Sequence, residues 1–270
     1  MKTKLAYLGR GLLNMTALLV VVFGLRSIIR GHVSDAVRLD AISVAVVVSY
    51  LVGVRWIEHR HASELATQRG LAEFATGLTL GMGLFTILMV ILWLLDVYHP
   101  SKWAGFAPLF DGFWFALLTA FNEEIVFRGL LFRLSQKVLG VWGALALTSL
   151  LFGAAHAFNH GATVGSSGAI AVEAGILLGA AYALTQRLWL PIGLHLGWNF
   201  TEGSIFGMSV SGGSTRGSLV IGTLHGRDLV TGGSFGPEAS IVAVAVSLAA
   251  SLFLLWKMVH LGRPEQARSA

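Results

Sequence analysis

No cysteine occurs among the 270 residues. Disulfides, thiolate metal sites and a cysteine nucleophile are therefore excluded. Charge is also scarce: Asp, Glu, Lys and Arg make up 12% of the chain, against about 25% in an ordinary soluble domain. That leaves no room for a large soluble domain. A nucleic-acid binder would gather its cations on one exposed face. Here the formal net charge is +5 and Lys and Arg punctuate the gaps between apolar runs, so nucleic acid is not an expected partner. No repeat of fixed period occurs.

What the chain has is apolar length. Hydrophobic residues make up 55% and the mean hydropathy is +0.73. Eight apolar segments stand at roughly 11–29, 39–57, 75–97, 109–133, 141–158, 169–186, 189–207 and 238–260, each near the ~20 residues that cross a bilayer. The reading is an all-α polytopic membrane protein of about eight transmembrane helices, in one integral domain. It runs as about three N-terminal helices in 1–108, core helices in 109–207, a Gly-rich loop in 208–237, and a last helix and tail in 238–270. The first segment follows Lys2, Lys4 and Arg10 like a signal peptide, but it is long and Gly24, Leu25 and Arg26 make a poor cleavage site. It is expected to be a retained anchor. Twelve Lys and Arg residues, among them Arg60, Arg133, Arg187, Arg263 and Arg268, fall on the N-terminal side of the membrane. Six fall on the other, Lys102, Arg216 and Arg227 included. Both termini are accordingly expected to be cytoplasmic, and the compact chain suggests a prokaryotic plasma membrane.

Against this background, Glu123 and Glu124 stand adjacent in FWFALLTAFNEEIVFRGLLFRL. A carboxylate near the bilayer centre costs about 2.5–3.5 kcal/mol on insertion scales, so the pair reads as functional. On a helix Glu124 and Arg128 are one turn apart and can pair, while Glu123 points about a quarter-turn away. Two further pairs are spaced four apart on later helices, Phe152 with His156 and His195 with Asn199. Each pair occupies one face. Gly153, Ala154, Ala155, Gly193 and Gly197 allow helix backbones to approach closely around them.

The set Glu-Glu-x-x-x-Arg, Phe-x-x-x-His and His-x-x-x-Asn, in that order on successive helices, resembles the CPBP intramembrane proteases, the group of CAAX prenyl endopeptidases and bacteriocin-processing or Abi proteins. The resemblance spans about 110–207, and its motifs are Glu123 to Arg128 with Phe127 between them, Phe152 to His156, and His195 to Asn199. It implies hydrolysis of a peptide bond in a polar intramembrane cavity, on a peptide or protein substrate presented from the membrane. By the same resemblance Glu123 is the general base that activates water and His156 helps hold that water. Glu124 with Arg128 shapes the site, and His195 with Asn199 stabilises the tetrahedral oxyanion. A desolvated carboxylate suits a base that must take and return a proton.

The cofactor stays open. Glu123, His156 and His195 are donors of the kind zinc or another divalent metal accepts, yet the compact His-Glu-x-x-His spacing is missing, and the metal-free chemistry is preferred. A serine nucleophile is the rival protease reading, because Gly165-Ser166-Ser167-Gly168 looks like a rhomboid motif. It requires Ser167 and His195, at opposite ends of neighbouring helices, to come within about 3 Å. It also leaves Glu123, Glu124 and Arg128 unexplained. A transporter with a proton relay, or a peptide-binding immunity protein, would use the same polar cluster without proteolysis.

Several polar residues remain. Glu173 either lines the cavity or reaches interfacial water, and Glu202, two turns after His195, can share its face. Asn14 and Thr16 are candidates for bonds to a neighbouring helix, Asn159 and His160 for the turn after the fifth helix, and Tyr98, Trp103 and Trp256 for interfacial anchors. The loop 209–236 is either a lid or a loose connection. His156 falls toward one end of its helix and His195 toward the other end of its own, so tilt or a broken helix must equalise their depth if they form one site.

Overall fold

The computed structural model describes residues 2–214 and 217–261, with side chains from residue 5 onward; Lys2, Lys4, Arg216, Arg263 and Arg268 of the charge count lie outside the described side chains. Its long helices are α1 (Lys2–Ile29), α2 (Asp35–Val52), α3 (Gly70–Leu94), α4 (Leu109–Glu124) and α5 (Arg133–His156). After them come α6 (Val164–Ile170), α7 (Leu177–Thr185), α8 (Trp189–Phe200), the single turn α9 (Asp228–Thr231) and α10 (Ile241–His260). Four π-helical segments, Gly53–Ile57, Ile125–Phe132, Ala171–Ile176 and Thr201–Ile205, continue α2, join α4 to α5, join α6 to α7 and continue α8. Side-chain caps start three of the helices: Ser34 for α2, a Thr163–Ser166 capping box for α6 and Ser240 for α10.

Six helical stretches are long and apolar enough to cross a membrane. One of them, Leu109–His156, is 48 residues long and is broken at Gly140, whose φ of 70° belongs to the left-handed region. It supplies two of the expected segments. The rod from Trp189 to Ile205 is shorter, so eight is an approximate count.

Loops gather at two opposite ends. At one, Arg60 and Arg133 both donate to Glu58 at 2.8 Å, Arg60 grips Glu64 with two 2.8 Å bonds, and Tyr50 donates to Glu64. Asn14 reaches Glu58 at 2.7 Å, bridging helices as expected, whereas Thr16 bonds only to Leu12 of its own helix. Burial would raise the Glu58 carboxyl, but Arg133 and the hydrogen bonds from Arg60, Asn14 and Arg133 outweigh it and hold it below the usual carboxylate range. Glu64 is likewise held low, against burial, by Arg60 and Arg133.

At the other end β1 (Tyr98–Trp103) pairs antiparallel with β2 (Val220–Leu224). The pairing was not expected, and it means that the 209–236 segment is no loose connection. Asn159 also donates to Ser211 at 3.0 Å, and Gly212 N–H to Phe235 at 2.7 Å. Tyr98 is not an interfacial anchor: it is 3% exposed, packed edge-on to Phe206. Trp103 and Trp256 are exposed.

A glycine seam sets the position of α8. A Cβ on Gly77 or Gly81 of α3 would strike the α8 backbone at Leu190 and Leu194, and one on Gly193 or Gly197 would strike the α3 backbone at Phe74 and Leu78. The two helices therefore touch backbone to backbone, an approach that membrane helices achieve through small residues. Gly153 and Gly175 do the same between α5 and the 164–185 rod, against Ser167 and Ser149.

Candidate active site

The site begins where α4 becomes π-helical. Glu123 and Glu124 are its last α-helical residues and Arg128 lies in the π segment Ile125–Phe132. Such bulges widen the turn and recur at functional sites. Arg128 and Glu124 are both 0% exposed and pair at 2.8 Å, as their spacing suggested. Arg128 also donates to the carbonyls of Ala174 and Gly175, at 3.2 and 3.3 Å, in another π segment. Its guanidinium lies 4.7 Å from the centroid of Phe152, and Phe127 packs edge-on to Phe152 at 4.8 Å. The two phenylalanines thus wrap the cation, and the Phe152 ring also packs 4.6 Å from the ring of His156.

Both histidines are oriented by what holds Nδ1. In His156, Nδ1 stands 2.8 Å from the Phe152 carbonyl, which can only accept, so Nδ1 carries the proton. In His195, Nδ1 stands 3.0 Å from Glu124 Oε1, and the Arg128-paired carboxylate accepts there too. Nε2 of each ring is left free, and each lies 4.0 Å from Glu123 Oε2. That oxygen has no hydrogen-bond partner. Glu123, unlike Glu124, remains partly open, with 29% of its side chain exposed. Three acceptors therefore surround one point, and a water molecule there can donate to two of them at a time.

Helix length closes the gap in depth. Glu123 stands seventeen residues before Gly140 and His156 sixteen after it, so both lie roughly 25 Å from the bend at 1.5 Å per residue. The start of α8 is pinned to the 58–69 loop, where Leu188 N–H donates to Glu64 and Trp189 to Ala66. That loop also holds Arg133, seven residues short of the bend. The α4–α5 hairpin thus overhangs the start of α8 by about 10 Å, which brings His195 level with Glu123.

A cavity of about 440 Å³ opens from these residues toward the β1–β2 end, between the start of α4 and the 210–214 segment. Glu123, His156, His195 and Asn199 line it beside the apolar Phe115, Leu177 and Leu194. Glu173 lines it as well, at 2% exposure, as do Asn159 and His160 from the turn after α5. Glu202 does not: it is fully buried, behind the wall, because the π segment Thr201–Ile205 rotates it off the His195 face. Sequence reasoning missed Glu238, a buried cavity residue that accepts from Ser211 N–H at 2.6 Å. Its only signal was a carboxylate at the very edge of the last apolar run. Ser167 lies outside the cavity lining.

The spacing of the donors does not fit a metal as it stands. Two ligands on one tetrahedral zinc stand roughly 3.3 Å apart given bonds of 2.0–2.2 Å, closer than the 4.0 Å from Glu123 to either ring. Among the described residues no group of three or more His, Cys, Asp or Glu is arranged to hold a metal ion. Groups that share one water stand about 4 to 4.6 Å apart.

Comparison with curated proteins and with solved structures gives no match. A family model does match: residues 105–201 fit type II CAAX prenyl endopeptidase Rce1-like. That stretch contains all three motifs and the whole Glu123, Glu124, Arg128, His156, His195 and Asn199 constellation. Together with six helices able to span a bilayer, the match supports an integral membrane protein whose residues 105–201 are similar to the Rce1-like type II CAAX prenyl endopeptidases.

Proposed function

We propose that the chain hydrolyses a peptide bond of a membrane-associated or lipidated peptide with a water activated by Glu123. The observation that carries this reading is the convergence of His156 Nε2 and His195 Nε2 on Glu123 Oε2, at 4.0 Å each. A water at that point gives one proton to Glu123 and one to His156, which leaves a lone pair facing the cavity. Glu123 takes the first proton as the oxygen attacks the substrate carbonyl. It then returns that proton to the departing amine, so that water and peptide become a carboxylic acid and an amine.

The negative oxygen of the tetrahedral intermediate needs donors. Asn199 supplies an amide N–H from the cavity wall. His195 supplies Nε2–H when protonated, and the Glu124 carboxylate at its Nδ1 balances that charge. Glu124 and Arg128 are positioning residues: they hold His195 and touch no reacting atom. Comparing peptide termini in membranes from cells with the native chain and cells with Glu123→Ala tests the reading. Termini that require Glu123 support it, and an unchanged set returns weight to a transporter or a peptide-binding protein.

A further inference from the structure

The proposed hydrolysis uses one face of the cavity and leaves a second group of acids unexplained. Glu173, from the π segment Ala171–Ile176, and Glu238, from the turn Pro237–Ala239, both line the cavity at 2% exposure, and Glu202 lies behind them at 0%. Glu238 accepts from the Ser211 N–H and shares a side-chain hydrogen bond with Glu202. Glu173 Oε2 has no partner. Across the same cavity the indole Nε1 of Trp198, a residue 3% exposed, is also without a partner.

Among the described residues no lysine or arginine lines the cavity, and Arg128 turns its terminal nitrogens to Glu124, Ala174 and Gly175. Buried carboxyls without a countercharge are destabilising, and an apolar residue of similar volume would pack there at less cost. Attachment of the 210–214 segment accounts for Glu238, and the bond to Glu238 for Glu202, which leaves Glu173. Among the described residues no acid or imidazole group is arranged to hold a metal ion, so the missing charge is better supplied by an organic cation. The Trp198 N–H in the same lining suits a peptide carbonyl.

We propose that Glu173, backed by Glu202 and Glu238, is a cation-accepting subsite that takes the ammonium or guanidinium of a lysine or arginine beside the bond to be cut. The identity of the guest as a peptide rests on the endopeptidase reading. The subsite then favours substrates with one basic side chain in an otherwise apolar stretch.

Binding separates this inference from the hydrolytic one. The full chain carrying Glu123→Gln, held in nanodiscs, is titrated with two fluorescent dodecapeptides of Leu, Ala and Gly that differ at one central position, lysine or norleucine. With Glu123 neutralised, any preference for charge comes from the second acid group. The lysine peptide is expected to bind about tenfold tighter, as for a charge-assisted hydrogen bond. Adding Glu173→Gln should reduce the ratio to below about twofold, and Glu202→Gln should reduce it in part, keeping the test open should the first variant fold poorly. Equal binding of the two peptides, or a ratio untouched by both substitutions, overturns the subsite. If the native chain cuts neither peptide while the ratio behaves as expected, the hydrolytic reading falls and the subsite stands.

Discussion

Glu124 and His195 lie 71 positions apart and share a hydrogen bond of 3.0 Å, from the ring Nδ1 to the same carboxylate oxygen that Arg128 grips at 2.8 Å. One buried ion pair thereby orients a ring on a different helix, and the geometry of the cavity face depends on it.

Breaking that pair from one side should be worse than removing it whole. Glu124→Gln leaves the Arg128 guanidinium buried without a counterion, and the expected loss is about 3–5 kcal/mol of stability. Glu124→Gln with Arg128→Met removes both charges and should recover most of the stability, yet hydrolysis should stay depressed through kcat with little change in KM, because His195 has lost its orienting partner. Thermal melting and steady-state kinetics on both variants check this. A double variant with native kcat would remove the positioning role.

The glycine seam between α3 and α8 should tolerate no side chain. Gly197→Ala directs a methyl at the Leu78 carbonyl and is expected to cost about 1–3 kcal/mol, as overpacking does. Gly83→Ala, on the same helix as the seam but with open space at its Cβ, should be close to neutral in the same melting assay.

How much of this was legible in the sequence follows from which forces act locally. Glu123, Glu124 and Arg128 stood out because charge in an apolar run is costly wherever the run packs, and the four-residue spacings of Phe152 with His156 and His195 with Asn199 survive any arrangement of helices. Gly193 and Gly197 were readable as a close-approach face; their partners Gly77 and Gly81 were not, since nothing in α3 says which helix it meets. The π segments carry ordinary helical sequence, so the displacement of Glu202 from the His195 face was invisible. β1 contains Pro100 and polar residues at most positions, and only its contact with β2 makes it a strand. Glu238 comes to the cavity through the same long-range folding of the 209–236 segment.

Acid should weaken the ion-pair end of the bundle. Glu58 and Glu64 titrate below the ordinary 4.5 in the folded chain. Their contribution is therefore complete above about pH 4.5 and is lost as pH falls through the folded values. Melting temperature followed from pH 7 to pH 3 should drop below that point, and Glu58→Gln should start lower at neutral pH and show a shallower acid limb. Parallel curves for the two proteins would contradict the assignment.

The charge bias of the loops bears on sidedness. We propose from that bias that both termini are cytoplasmic, which would turn the Glu64 loop to the cytoplasm and β1, with the cavity mouth, to the opposite side. The cysteine-free chain lends itself to labelling: Ser101→Cys should react with a membrane-impermeant maleimide in intact bacterial cells, and Thr67→Cys only after permeabilisation. The reverse pattern would invert the chain and turn the cavity toward the cytoplasm.

The central claim is that Glu123 is the base for a hydrolytic water. The most direct measurement is the rate of peptide cleavage by the purified chain in liposomes, compared among the native protein, Glu123→Gln and Asn199→Ala at matched folding. The account predicts that Glu123→Gln loses about 10²–10⁴ in kcat or more and that Asn199→Ala is the milder change, at about 10²–10³. Substantial cleavage by Glu123→Gln, with Asn199→Ala inactive, would contradict it.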